Sequence, residues 1–163
     1  MFGLIRVVKR FKNQKNIVNG VTSRLISKVL LCCFSGDLEE IQNTRDRSGV
    51  LNCLRSALEA AFKKQAKIKE VRYDPGKYDL FVIGTPVWAY NMSTPVRAYL
   101  ERHKTNFSAA SYFATCGSTG DSKTLQDMEN ISGSKPRAQL AIKKVDMKPG
   151  IYQEKIKQFV REL

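Results

Sequence analysis

Two short stretches hold the residue types most able to do chemistry. In the first, Thr85-Pro86-Val87-Trp88-Ala89-Tyr90-Asn91-Met92, the only tryptophan of the chain stands two positions before a tyrosine, between a proline and an asparagine. Aromatic side chains in a loop expose apolar area unless they lie on something, and stacking on a flat partner adds about 0.5–1.5 kcal/mol beyond burial. A flat ligand satisfies that need, and so does the end of a sheet that Trp88 covers. The second stretch is Cys116-Gly117-Ser118-Thr119-Gly120-Asp121. Two glycines let the backbone come close to a ligand, with free N–H groups to donate to the edge of a heteroaromatic ring. The same residues also fit a Gly-rich turn that opens the next helix. Cys116 reads as a reactive thiol or as a small buried hydrophobe. His103, the single histidine, falls at a predicted helix end, where an imidazole interacts with the helix dipole at the surface. No side chain in these loops is required as an acid or base, so no catalytic residue is assigned.

Both loops follow strand-like blocks. Asp79–Gly84 (DLFVIG) is a continuous apolar run, as a strand buried on both faces demands. Ala110–Thr115 (ASYFAT) is the next strand. Between them, Ser93 or Thr94 caps a helix that carries Pro95 in its first turn and runs to about His103. Asp121–Ile131 reads as a helix with Leu125, Met128 and Ile131 on one side. Ala138–Val145 alternates as a strand nearer an edge would, and Pro149–Leu163 closes with a helix burying Tyr152, Ile156, Phe159 and Val160 or Leu163. Upstream, Leu38–Ile41 is a short strand. Ser48 opens a helix to about Lys64, with Leu51, Leu54, Leu58, Ala61 and Phe62 at helical spacing. Alternating β and α blocks argue for a parallel sheet covered by helices. In such sheets ligands sit beyond the carboxyl ends of strands, at a topological switch point. Over the first 35 residues, Thr22–Leu31 fits a helix, Lys28–Phe34 (KVLLCCF) fits a strand and Leu4–Val8 is a weaker strand; local propensity does not separate them.

Length and composition bound the architecture. With 163 residues, 42% apolar and 26% charged, the chain is expected to form one globular α/β domain over residues 1–163. No apolar run approaches the ~18 residues of a membrane span. Cys32, Cys33, Cys53 and Cys116 form no CxxC, and no Cys/His pair has metal-ligand spacing. They fit reduced thiols in a cytoplasmic compartment. Met1–Lys15 mixes apolar and basic residues without the pattern of a signal peptide. The formal charge of +13 is uneven: residues 1–35 hold seven basic groups and no acid, leaving 21 basic and 15 acidic groups over 36–163. Charge alone admits nucleic acid, anionic membrane or an acidic partner.

The stretch GTPVWAYNMSTPVRAYLE (84–101), followed by FATCGSTG (113–120), resembles the flavodoxin-like family, and most of all its short single-domain members with a PVWAxxM loop. LEEIxxTRDRSGVLxxLRSALEA (38–60) is similar to their second strand and second helix, so the likeness covers about 36–163. It implies a three-layer α/β fold, with a five-stranded parallel sheet of order 2-1-3-4-5, helices on both faces, and FMN at the switch between strands 1 and 3. By the same resemblance, Thr85 to Met92 flank the isoalloxazine, and Cys116, Gly117, Ser118, Thr119 and Gly120 meet its edge and pyrimidine end.

The family holds the FMN phosphate in a loop of the form Ser/Thr-x-Thr-Gly-x-Thr that opens its first helix, where N–H groups and hydroxyls attract a dianion. The counterpart here is Ile17-Val18-Asn19-Gly20-Val21-Thr22. Gly20 and Thr22 match; Ile17 and Asn19 stand where hydroxyls are expected. Asn19, Gly20, Val21 and Thr22 then hold the phosphate, with a helix over Thr22–Cys33 and strand 1 within Leu4–Lys12, before an odd polar stretch over Lys12–Asn16. In the rival registration Lys28–Phe34 is strand 1, Ser35-Gly36-Asp37 is a loop remnant, and the phosphate site is gone. Missing hydroxyls at about 0.5–1.5 kcal/mol each weaken FMN about ten- to a hundredfold, which Lys15 or Arg24 would partly offset.

The resulting expectation is an FMN-binding oxidoreductase or electron-transfer protein, with a redox partner protein or a small acceptor such as a quinone or nitro compound. The alternative is a flavodoxin-like domain that has lost flavin and serves as an interaction module. Nucleic-acid or membrane binding by the basic first 28 residues ranks below both, because they form no known reading motif. Self-association into a homo-oligomer is compatible with the sequence. Electron-shuttling family members are typically acidic, so the +6 over residues 36–163 fits an acidic partner or a small substrate better than a basic partner.

Overall fold

A computed structural model describes residues 4–10, 13–16, 38–41, 44, 67–104, 106–148 and 150–163. Their elements are β1 (Leu4–Arg10), β2 (Asn13–Asn16), β3 (Leu38–Ile41), β4 (Leu80–Trp88), β5 (Asn91–Met92), α1 (Thr94–His103), β6 (Ala110–Cys116), α2 (Asp121–Ser132), β7 (Pro136–Lys143) and α3 (Ile151–Glu162), with short 3-10 turns at Pro75–Lys77 and Lys144–Met147.

The apolar run of β4 is buried on both sides because successive side chains alternate between faces. Phe81 and Ile83 join Tyr112 and Ala114 of β6 under α1 and α2, with Val96, Tyr99, Leu100, Leu125 and Met128. Leu80 and Val82 join Phe113 and the inner row of β7, Ala138, Leu140 and Ile142, under Ile156 and Phe159 of α3. Helices therefore cover both faces, the expected three layers. β7 shows the alternation of a strand open on one side: Ala138, Leu140 and Ile142 are buried while Arg137 and Gln139 are exposed.

β4 pairs with β6 and β6 with β7, both in parallel. β1 offers one edge to β4 and the other to β3, since Ile5 and Arg6 pair with both. Across the sheet this gives β3-β1-β4-β6-β7, the positional order 2-1-3-4-5 that the resemblance implies. The direction of one strand differs. β1 is antiparallel to β3 and to β4, so β3, β4, β6 and β7 share one sense and β1 opposes it. The polar stretch after it folds back on it. Asn13–Asn16 pairs with Val7–Arg10 as an antiparallel hairpin, and a connection this short cannot make the crossover that a parallel pair needs. The expected helices at Thr22–Cys33 and Ser48–Lys64, the rival strand at Lys28–Phe34 and the phosphate residues Asn19 to Thr22 all lie outside the described residues, as do Cys32, Cys33 and Cys53.

The helix ends form as the sequence requires. Ser93 is the extended N-cap of α1, with Pro95 in its first turn. Asp121 lies in the first turn of α2, where a carboxylate favours the helix dipole. Gly133 closes α2 in the left-handed region at φ 67°, and its N–H donates to the Glu129 carbonyl. β7 stops at Lys143, two residues short of expectation. The Asp146 carboxylate turns the chain there, accepting from the Lys143 N–H and the Lys155 ammonium at 2.8 Å each. His103 ends α1 half-buried rather than on the surface, its ring 4.6 Å from that of Tyr99. No helix among the described residues is long and apolar enough to cross a membrane.

Gly84 leaves no room for a side chain, since a Cβ there would overlap the ring of the fully buried Phe113. Gly84→Ala is expected to lower the unfolding free energy by about 1–3 kcal/mol through overpacking, read as a lower midpoint in urea. Gly84→Ala combined with Phe113→Leu recovers part of the loss.

Candidate functional site

The carboxyl ends of β4 and β6 lie side by side, with Thr85 opposite Ala114 and Pro86 opposite Thr115. Both aromatic-rich and glycine-rich segments leave from this edge. Residues 85–92 are not the open loop that sequence suggests. β4 continues to Trp88, turns, and returns as β5, with Trp88 opposite Asn91 and Val87 opposite Met92. Pairing back on itself satisfies backbone groups that a free loop would leave to water.

The two turn residues, Ala89 and Tyr90, both have positive φ, 45° and 61°. This is the pattern of a type I′ hairpin, which favours Asn-Gly. Neither residue here is one that adopts it readily, and left-handed backbone costs about 1–2 kcal/mol per ordinary residue. The turn is held from beneath. Thr85, fully buried, accepts the Ser93 N–H at 3.0 Å, and its hydroxyl lies 3.2 Å from that of Ser93. Met92 is fully buried in the core. Asn91 donates from Nδ2 to the Ala89 carbonyl at 2.8 Å, and its Oδ1 accepts from Lys123 Nζ at 2.9 Å.

The faces of the predicted residues thus differ. Thr85, Asn91 and Met92 point inward as supports. Pro86, Val87 and Trp88 are half-buried, and Ala89 and Tyr90 are exposed, with Tyr90 at 63% the more open. Opposite them, Gly117, Ser118 and Thr119 are exposed and Cys116 and Gly120 half-buried. Gly120, at φ 94°, brings the two segments into contact: an added Cβ would lie 3.0 Å from both the Tyr90 Cα and a Val87 methyl. A Cβ on Gly117 would meet nothing within 4 Å. The structure therefore forms one mouth from hairpin and loop, with an exposed aromatic ring on one side and open backbone on the other.

Charged groups that the sequence reading passed over border this mouth. Lys123 bridges the hairpin to Asp127, 2.9 Å away. Their i,i+4 spacing on a helix was the available signal. Asp121, buried, pairs with Lys143 at 3.3 Å and lies 3.8 Å from the Cys116 sulfur. Burial, and then the Asp121 carboxylate, push the Cys116 thiol above its ordinary value. The thiolate is the nucleophile, so Cys116 is a weak one near neutral pH.

The family model described as flavodoxin matches residues 18–163. The chain belongs to the flavodoxin family. β1 and β2 precede the matched span. Among solved structures, the chain is similar to a flavoprotein in complex with FMN from Lactobacillus acidophilus NCFM, with a TM-score of 0.64 and 20% identity over 77% of this chain and 90% of that one. A candidate flavoprotein from Bacteroides uniformis ATCC 8492 superposes with a TM-score of 0.70 and 20% identity, over 92% and 99% of the two chains. One from Bacteroides eggerthii DSM 20697 gives 0.66 and 18%, over 89% and 92%. At such identities the likeness speaks for the fold. No curated protein matches the chain.

Two outcomes follow from the local geometry. Ala89→Gly relieves a left-handed residue and is expected to stabilise the fold by about 0.5–1 kcal/mol, read in urea unfolding. Site-resolved alkylation at pH 7.5 should label Cys116 more slowly than a free cysteine peptide. Asp121→Asn removes the carboxylate that raises the thiol, so labelling should then quicken severalfold at the same pH.

Proposed function

We propose that this flavodoxin-family chain binds FMN at the mouth between the β4–β5 hairpin and the Cys116–Gly120 loop, and works there as an oxidoreductase or electron-transfer protein. One observation carries the proposal. Tyr90, at 63% exposure, is displayed on a strained turn at the carboxyl ends of two parallel strands, facing a glycine-rich loop whose backbone is open. An aromatic ring exposed at this edge fits stacking on a flat ring system, and backbone N–H groups at Gly117 to Gly120 fit its polar edge. The Lactobacillus acidophilus relative, a flavoprotein in complex with FMN, supports the same choice of ligand.

In this site Val87, Trp88, Ala89 and Tyr90 flank the ring, while Thr85, Pro86, Asn91 and Met92 support them from the sheet. Cys116, Gly117, Ser118, Thr119 and Gly120 meet the ring edge. Asn19, Gly20, Val21 and Thr22 take the phosphate. FMN, when bound, supplies hydride or single-electron chemistry. The chain contributes placement and water exclusion, while Lys123 and Lys143 at the border are each paired with a carboxylate. The +6 over residues 36–163 favours a small acceptor or an acidic redox partner. A second reading, a domain that has lost flavin and acts as an interaction module, rests on Ile17 and Asn19 in place of the phosphate-binding hydroxyls.

Titrating the purified protein with FMN decides between them. Flavin fluorescence should be quenched with a dissociation constant in the micromolar range, and Tyr90→Ala should weaken it by about tenfold. With the phosphate grip reduced, riboflavin should bind within about tenfold of FMN. No quenching of either flavin at about 100 μM protein rejects the proposal in favour of the interaction module.

A further inference from the structure

We propose that Lys123 is a positioning residue that clamps the β4–β5 hairpin into its left-handed turn and so fixes the orientation of Tyr90 and Trp88 at the mouth. The functional part rests on the flavin reading above; the clamp itself does not. Lys123 stands in the first turn of α2, and its ammonium reaches three oxygens from three places. It donates to Asn91 Oδ1 at 2.9 Å, to the Tyr90 carbonyl at 3.5 Å and to Asp127 Oδ2 at 2.9 Å. Asn91 passes the tie onward through its Nδ2, which holds the Ala89 carbonyl at 2.8 Å. The chain of contacts therefore ends on both carbonyls of the two positive-φ residues. The same Asp127 oxygen lies 3.8 Å from the guanidinium of the buried Arg97. Gly120 lets the hairpin come this close, because a Cβ there would lie 3.0 Å from the Tyr90 Cα.

The arrangement explains how an Ala-Tyr pair keeps a turn that favours Asn-Gly. Backbone in a disfavoured region persists only where its surroundings over-determine it, and a three-way ammonium contact is a directional means of doing so. Lys123 is 53% exposed, so it is not part of the core packing, and its removal leaves both apolar clusters intact. Hydrogen bonds made by a charged donor are roughly twice as strong as neutral ones. A hairpin held in its bound shape before ligand arrives spends less binding energy on ordering. Loss of the clamp should therefore appear as weaker flavin binding and a looser hairpin, with little loss of global stability.

The test compares full-length wild type, Lys123→Met and Lys123→Arg. Trp88 is the only tryptophan and opens the hairpin, so acrylamide quenching of its fluorescence reads the clamp without any flavin. Lys123→Met is expected to raise the quenching constant about twofold and to weaken FMN by about tenfold, the loss of one charged hydrogen-bond set. Lys123→Arg should stay close to wild type in both, because it keeps the charge and the donors. Urea midpoints of all three should agree. Wild-type values for Lys123→Met in quenching overturn the clamp. So does a loss of FMN affinity that Lys123→Arg does not rescue and that falls in step with the urea midpoint. A wild-type protein that binds no flavin rejects the flavin reading, and the Trp88 quenching then decides the clamp alone.

Discussion

Six consecutive pairings, from Phe81 opposite Ala110 to Pro86 opposite Thr115, lock β4 and β6 in parallel register. The lock is set by burial on both faces. Shifting either strand by one residue would exchange Phe81 and Ile83 with Leu80 and Val82, and so swap the contents of two cores. Gly84 tightens the constraint, since the Phe113 ring occupies the space a side chain would need. Because the register is fixed, the two carboxyl ends finish level, and the segments leaving them have to share one mouth.

The mouth is then shaped by a conflict between local preference and tertiary contacts. Ala89 and Tyr90 do not favour positive φ, yet both hold it. Hydrogen bonds from Asn91 and Lys123, and the close approach of Gly120, supply what propensity withholds. Local rules tend to fail where a protein has something to do, and here the failure coincides with the most exposed aromatic ring among the described residues. The same economy governs Cys116. Its place beside Asp121 makes it a quiet thiol at the edge of the mouth, and the neighbouring lysine is engaged with the carboxylate.

The departure at β1 has a different origin. Its position between β3 and β4 is that of the first strand in a 2-1-3-4-5 sheet, but it runs against its neighbours. Antiparallel ladders pair at least as well per residue as parallel ones, so the sheet accepts this strand in the opposite sense. β1 and β2 also precede residue 18, where the family match begins. The basic segment flagged by its charge is thus the place where the chain meets the sheet in its own way.

Much was legible in the sequence. Strand and helix blocks from Asp79 onward follow from apolar period, a proline in a first turn and glycines at turns, all local signals. Leu38–Ile41 was readable for the same reason. The two segments that the structure brings together at the mouth were also singled out from residue type alone, because a tryptophan and tyrosine, or two glycines in six residues, stand out whatever surrounds them. What the sequence could not give was which of those side chains face outward. Thr85 and Met92 are fully buried and Tyr90 is exposed, a division set by a two-residue turn that local propensity argues against. Nor could it give Lys123, whose oxygen partners Asn91 and Tyr90 lie more than thirty positions away. Spacing along a chain determines what one element can do by itself. Only the packing of α2 against the hairpin brings an ammonium to the carbonyls it holds, because contacts between distant residues are set by the three-dimensional register of the sheet.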